Sequence, residues 1–434
     1  QLYMPSEVVS MPKQTFTKNL QYVKFCAYGF LKDLRFYEPF MLLVFLDKGL
    51  SYLEIGTLYA TREVLINITE IPSGIFADSV GRRMTMVFSF LAYILAFITF
   101  YFADRFEILL LAMIAYAFGD AFRTGTHKAM IFDYLRLNGW EDQKTYYYGH
   151  TRAWSQRGAA ISALIAALLV LYQGSYAPIF LFTIIPYVLN MFLILSYPKS
   201  LDGNRHAGDK RVGQEFVTVF RSLVVTMKSL SMVRTISSQA LYSGYYKAFK
   251  DYLQPLLQTL ALSLPIFLAF EDQKRTALVI GIVYSLLYAT TAFASSKSGA
   301  LASHFNGLAT PLNITLLIGL SLGLVSGLLL HLSYVVLAVV LYLGIYILEN
   351  LRKPMGIAYV SERMDQTSLA SALSVESQAE SMFAAAIALL LGWLSTLFGV
   401  GLGILFVSIL CLLLGLVLRL PQEGATETQA RRRS

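Results

Sequence analysis

The chain has 434 residues, 56% of them hydrophobic and 14% charged, with a mean hydropathy of +0.57. Soluble domains carry nearer about a quarter charged residues, so this composition excludes an ordinary water-soluble protein and directs the apolar surplus toward lipid. The net charge of +8 would point to nucleic acid in a soluble chain; here the basic residues fall between apolar runs, where they set orientation in a membrane and leave no case for a nucleic-acid partner.

A helix needs roughly 20 apolar residues to cross a bilayer. Residues 1–21 are polar, include Lys13 and Lys18, and read as a cytoplasmic N-terminal segment without a cleavable signal; the first span is the expected targeting signal. Spans then follow near 22–47, 51–77, 84–103, 107–135, 146–172 and 178–197, forming a first six-helix bundle over 22–197. Residues 198–232 are the longest polar stretch and read as a cytoplasmic linker, with a basic amphipathic helix over Gln214 to Ser231 lying along the membrane surface. A second bundle over 233–419 contains spans near 233–261, 276–296, 309–331, 333–352, 367–396 and 400–419, and 420–434 is a cytoplasmic tail. The fold class is an all-α integral membrane protein with 12 transmembrane helices in two six-helix bundles. Lys and Arg cluster at Arg82, Arg83, Lys199, Arg205, Lys210, Arg211, Lys353 and Arg431 to Arg433, which places both termini in the cytoplasm. The expected location is the cytoplasmic (inner) membrane.

The two halves echo each other. An offset of 225 residues, from Gly56 to Gly281, also brings Ile55 onto Ile280, Tyr59 onto Tyr284, Ser73 onto Ser298, Gly74 onto Gly299 and Ala77 onto Ala302. Pro39, after Glu38, matches Pro255, after Gln254, once a gap of about nine residues is allowed near 262–275. Span 2 thus corresponds to span 8, as two parallel repeats require.

After span 2 comes Gly74-Ile-Phe-Ala-Asp78-Ser-Val-Gly81-Arg82-Arg83. Gly74 permits close approach to a neighbouring helix, Asp78 caps the helix, Gly81 allows a tight turn, and Arg82 and Arg83 sit at the interface, where Asp78 or another helix end can pair with them. This spacing, at this position in a twelve-span chain, resembles the signature of major facilitator transporters. The resemblance implies alternating access: two bundles rock about a central site, and the motif acts as a cytoplasmic latch for the outward-facing state. The second half has Ser303 in place of Asp78 and Gly307 in place of Arg82, so a second latch is not expected. Span 4, with Gly119-Asp120-Ala-Phe-Arg123-Thr-Gly125-Thr-His127-Lys128, resembles bacterial permeases grouped with drug exporters. Span 5 lacks their Pro-x-x-Gly-Gly pattern.

Charges inside a membrane need a partner or a wet cavity. Arg35, Arg123 and Lys247, with Tyr37, Tyr59 and Tyr246, are the candidate substrate contacts. Asp120, Arg123 and His127 are spaced to share one helical face. Glu63 beside Arg62, Asp120 beside Arg123, His127, and Glu376 with Glu380, which have no basic neighbour along the chain, are the candidate proton carriers. The expected function is secondary active transport of a small amphiphilic, anionic or zwitterionic solute, proton-coupled, with export favoured by the span 4 resemblance. Proton-driven import of an organic anion and lipid flipping are the alternatives. No HExxH, Gly-x-Ser-x-Gly or P-loop motif is present, and Cys26 and Cys411 lie too far apart to suggest a metal site. The chain is therefore read as a non-enzyme with no cofactor and no metal. Its partners are a small-molecule substrate, protons and membrane lipids, and it is expected to work as a monomer.

Overall fold

The structure, a computed structural model, describes residues 16–203, 230–305, 307–361 and 366–421. The side chains of 71, 75, 78, 142, 144–146, 230, 231 and 366–372 lie outside that description, and so do the expected amphipathic helix of the linker and the Asp78 cap. Among the described residues every regular element is helical.

The first half comprises α1 (Leu20–Lys32), α2 (Met41–Asp47), α3 (Tyr52–Val80), α4 (Arg82–Phe102), α5 (Phe106–Arg123), α6 (Thr126–Leu137), α7 (Lys144–Gln173) and α8 (Ile179–Leu195). The second half comprises α9 (Leu230–Phe249), α10 (Leu253–Ser263), α11 (Asp272–Ala302), α12 (Ala309–His331), α13 (Val335–Ser361), α14 (Gln366–Phe398) and α15 (Val400–Val417). Seven of these, α4, α7 and α11 to α15, are long and apolar enough to cross a membrane unaided, and α8 is a shorter apolar helix. The remaining four spans are α1 with α2, α3, α5 with α6, and α9 with α10; these are the spans with charges at mid-length. Together they make twelve. Apolar side chains such as Leu168, Phe192, Phe293 and Leu413 point outward, an arrangement that only lipid makes favourable.

Spans 1, 4 and 7 are broken rather than continuous. In span 1 the helix stops at Lys32 and resumes at Met41. Pro39, which has no N–H to donate, lies in the gap. In span 4 Thr124 is extended and Gly125 has φ +83°, a conformation that favours glycine. In span 7 a 3₁₀ turn over Lys250–Tyr252 separates α9 from α10, and Pro255 sits in the first turn of α10. Irregular backbone at membrane depth persists only where protein or a wet cavity satisfies it. The break in span 4 corrects one expectation: His127 lies beyond Gly125 and does not share a face with Asp120 and Arg123.

The halves meet through α3 against α14 and α7 against α11. A Cβ on Gly56 would stand 3.2 Å from the Gly392 Cα, and one on Gly281 would strike Ala167. Both repeat-related glycines are thus close approaches between the halves, and both lie toward the Lys48 end. The Leu53 N–H donates to Thr396 Oγ1 at 2.9 Å, and Gln273 donates to Asp47 at 2.8 Å. At the Arg82 end a groove runs between the halves, with Arg152 and Gln156 on one wall and Asn350 and Lys353 on the other. The molecule is closed at the Lys48 end and grooved at the Arg82 end.

Candidate functional site

The three breaks converge. Between the halves lies a cavity of about 260 Å³ lined by the bases Arg35, Arg62, Lys247 and Lys250 and the acids Glu38, Glu63, Glu70, Asp120 and Asp251. Tyr37 and Tyr116 add a hydroxyl pair at 2.8 Å. Ser377 and Ser381 of α14 close the far wall.

The charges form chains of ion pairs. Asp33 binds Lys32 at 2.9 Å and Arg35 at 3.5 Å, Arg35 reaches Glu38 at 3.8 Å, and Glu38 takes Lys250 of the other half at 3.1 Å. The second chain starts at Arg62, which covers the Tyr59 ring at 5.1 Å and binds Glu63 at 3.1 Å. Lys247 then stands between Glu63 of the first half at 3.6 Å and Glu380 at 3.0 Å. Lys353 follows, 3.8 Å from Glu380 and 3.9 Å from Glu349. Each chain crosses from an acid in the first half to a base in the second. Glu70 and Asp251 line the same cavity with no ion-pair partner among the described residues, so the lining has a surplus of carboxylate.

Gln254 joins the halves without charge. It is fully buried; its Oε1 accepts from the Leu42 N–H at 2.8 Å and the Leu43 N–H at 3.4 Å, and its Nε2 donates to the Glu38 carbonyl at 2.9 Å. The first-turn donors of α2 would otherwise lack partners. One side chain of span 7 thereby caps the half-helix of span 1.

Of the expected site residues, Arg35, Tyr37, Glu63, Asp120 and Lys247 line the cavity. Arg123 stands behind Asp120, which it binds at 2.8 Å while the Tyr93 hydroxyl donates to the same carboxylate at 2.5 Å. Tyr59 lies beneath Arg62, and Tyr246 packs on Tyr346 with ring centres 5.2 Å apart. Glu380 does have basic partners, Lys247 and Lys353, supplied by other helices. Glu376 is off the cavity with its Oε2 buried and unpartnered. His127 is elsewhere, stacked on Tyr28 at 3.6 Å and within reach of the Tyr197 hydroxyl at 3.2 Å. Sequence reasoning did not single out Glu38, Lys250, Asp251 or Gln254 as site residues. The signal that could have found them is the pairing of Glu38-Pro39 with Gln254-Pro255 in the repeat.

At the turn after α3, Gly81 has φ +103°. Arg82 pairs with Asp133 at the far end of span 4, and Arg83 grips Asp202 at 3.0 and 2.9 Å and the Tyr197 carbonyl at 2.8 Å. These bonds stay within the first half. Among the described residues nothing lies within 4 Å of where a Gly74 Cβ would stand.

A family model described as Major Facilitator Superfamily matches residues 33–375. The "Uncharacterized MFS-type transporter YxaM" of Bacillus subtilis (strain 168) is 26% identical over 233 residues, 52% of this chain and 56% of that protein. The vesicular acetylcholine transporter of Torpedo marmorata is 26% identical over 151 residues, 35% of this chain and 26% of that protein. These matches take in about half and about a quarter of the relatives' own lengths. The nucleoside transporter NupG superposes with a TM-score of 0.74 at 11% identity, covering 92% of this chain and 98% of that one. The D-xylose-proton symporter gives 0.66 at 13%, covering 92% and 97%. At such identities the likeness is one of fold.

Proposed function

The chain belongs to the major facilitator superfamily, and we propose that it is a proton-coupled secondary transporter for a small zwitterionic organic solute bearing an ammonium group. The observation that carries this reading is the central cavity, walled by both halves and bridged by Glu38–Lys250 and Glu63–Lys247. A solute with both charges can exchange into such pairs without leaving a bare charge at low dielectric. Glu70 and Asp251, as unpaired carboxylates, suit its cationic end. The vesicular acetylcholine transporter, matched over a third of the chain, is named for a quaternary ammonium cargo.

Coupling is assigned to the Glu63–Lys247–Glu380 relay. A proton on Glu63 cancels one bridge between the halves and leaves Lys247 to Glu380. That lowers the cost of parting the halves at the Lys48 end, a shift between two states by differential binding. Asp120, fixed by Arg123 and Tyr93, is positioned to hold span 4 in place instead. With the Arg82 face cytoplasmic, the conformation described is the inward-facing one. Export is the direction we favour, on the span 4 resemblance.

The test is transport in proteoliposomes with a pH gradient of either sign across a panel of zwitterions, amines and organic anions. Acceleration of an amine-bearing zwitterion by a gradient of one sign only, with that dependence lost in Glu63→Gln, is the expected result; the sign separates export from import. Transport confined to organic anions, or indifferent to both gradients, would overturn the reading.

A further inference from the structure

A second chamber, of about 390 Å³, opens inside the first half between α1, α6 and α7, on the Arg82 side of the central cavity. Its walls present Tyr28, Lys32, Asp33, His127, Arg152 and Ser155. The charge there is lopsided. Asp33, its one carboxylate, is held between Lys32 and Arg35. Arg152 has no ion-pair partner among the described residues, and it lines both this chamber and the groove between the halves, so the chamber communicates with the open face.

The polar groups are donors in want of an acceptor. Tyr28 is 2% exposed, and its hydroxyl proton has no acceptor among the described residues. The Arg123 guanidinium is placed to donate to the hydroxyl oxygen but cannot accept its proton. A buried hydroxyl proton left without an acceptor is destabilising, so an acceptor is called for. His127 spends Nε2 on Tyr197, and its other ring nitrogen has no partner among the described residues. Ser155 is buried with no hydrogen bond to another residue. Two cations and several neutral donors around one space form the setting in which carboxylates and phosphates are bound by charge-assisted hydrogen bonds.

We propose that this chamber is a second ligand site, selective for an oxyanion group, a carboxylate or phosphate, held by Arg152 and Lys32 with the Tyr28 hydroxyl as a short-range donor. It is distinct from the central cavity, whose lining has the opposite charge surplus, and it does not depend on the solute or coupling assigned there. Three sources share this chemistry: a free anion, the acidic end of a transported solute waiting at the open face, and an anionic lipid headgroup.

Calorimetric titration of inorganic phosphate, and separately acetate, into the purified full chain in neutral detergent tests it. Saturable binding at one site per chain is expected. Arg152→Gln, at an exposed position, and Tyr28→Phe, which removes a single oxygen, should each weaken it about tenfold or more. Glu70→Gln, in the central cavity, should leave it unchanged whatever it does to transport. Repeating the titration in nanodiscs identifies the source: loss of phosphate binding on adding phosphatidic acid to phosphatidylcholine marks the lipid headgroup, and its persistence marks a soluble anion. No binding of either anion, or equal binding by wild type, Arg152→Gln and Tyr28→Phe, would overturn the proposal.

Discussion

Lys247 is the side chain on which the two halves most depend for charge balance. It stands between Glu63 and Glu380 with about a third of its side chain exposed, and its removal would leave Glu63 to Arg62 and Glu380 to the more distant Lys353, with no cation between the two carboxylates. Under-compensated charge at low dielectric is costly, but the remaining bases and water in the cavity screen part of it, so the expected loss is roughly 1–3 kcal/mol. Lys247→Gln should lower the melting temperature and abolish counterflow. The double variant with Glu63→Gln should recover most of the melting temperature without recovering counterflow. Failure of that rescue, followed by thermal unfolding in detergent, would show that the pair is not coupled. Lys247, Asp120 and Glu63 were legible in the sequence because charge is rare in a membrane and stands out. Their partners were not. Glu380 looked unpaired because its bases, Lys247 of α9 and Lys353 of α13, come from other helices, and no spacing within one helix encodes a contact with another.

At the scale of elements, hydropathy sufficed for the spans with apolar midpoints and for the count of twelve. It did not reveal that spans 1, 4 and 7 are each two helices. Those breaks rest on single residues, Pro39, Gly125 and Pro255, whose effect depends on what lies across the cavity to take up the freed backbone groups. For span 1 that partner is Gln254, from the other half. Gln254→Leu keeps the volume but leaves the Leu42 N–H without its acceptor, at roughly 1–3 kcal/mol. Because the bond exists only while the Lys48 end is shut, the penalty falls on this conformation alone. Hydrogen exchange at residues 41–45 should quicken, and a cysteine introduced near Ser51 should label faster with a membrane-impermeant thiol reagent applied from that side. Unchanged exchange and labelling would show that the cap does not hold the closure.

Across the whole molecule, one pair of the repeat read from the sequence marks contacts between the halves. Gly56 and Gly281, one offset apart, each lie so close to the other half that an added Cβ would meet it, at Ala388 and Gly392 for the first and at Ala167 for the second. Gly56→Val should wedge α3 from α14, since the added Cβ would meet backbone at Ala388 and Gly392. The expected result is a fold retained by each bundle, a longer spin-label distance between positions 53 and 396, and transport lost. A distance equal to that of the unsubstituted glycine would show that the interface gives way instead. The motif after α3 was equally legible as a turn, through Gly81, yet its arginines fasten α4 to Asp202, where the linker begins, and to Asp133 in span 4. Those are joints inside one bundle that the spacing of the motif could not disclose.

Among the four spans that stand at equivalent places in the two repeats, spans 1, 4 and 7 are interrupted, whereas α13 continues as one helix from Val335 to Ser361 even through Pro354. Its Arg352 is fully buried, bonded to the Leu312 carbonyl and to Thr315 at 3.0 Å, and lies over the Tyr242 ring at 4.8 Å. A jointed rod absorbs strain at its joint, and a riveted one passes it on. When the halves rock, deformation should therefore gather in the three articulated spans, leaving α13 as the stationary beam against which they flex. Gating in this protein would then be lopsided, with the first bundle bending at two places for every one in the second.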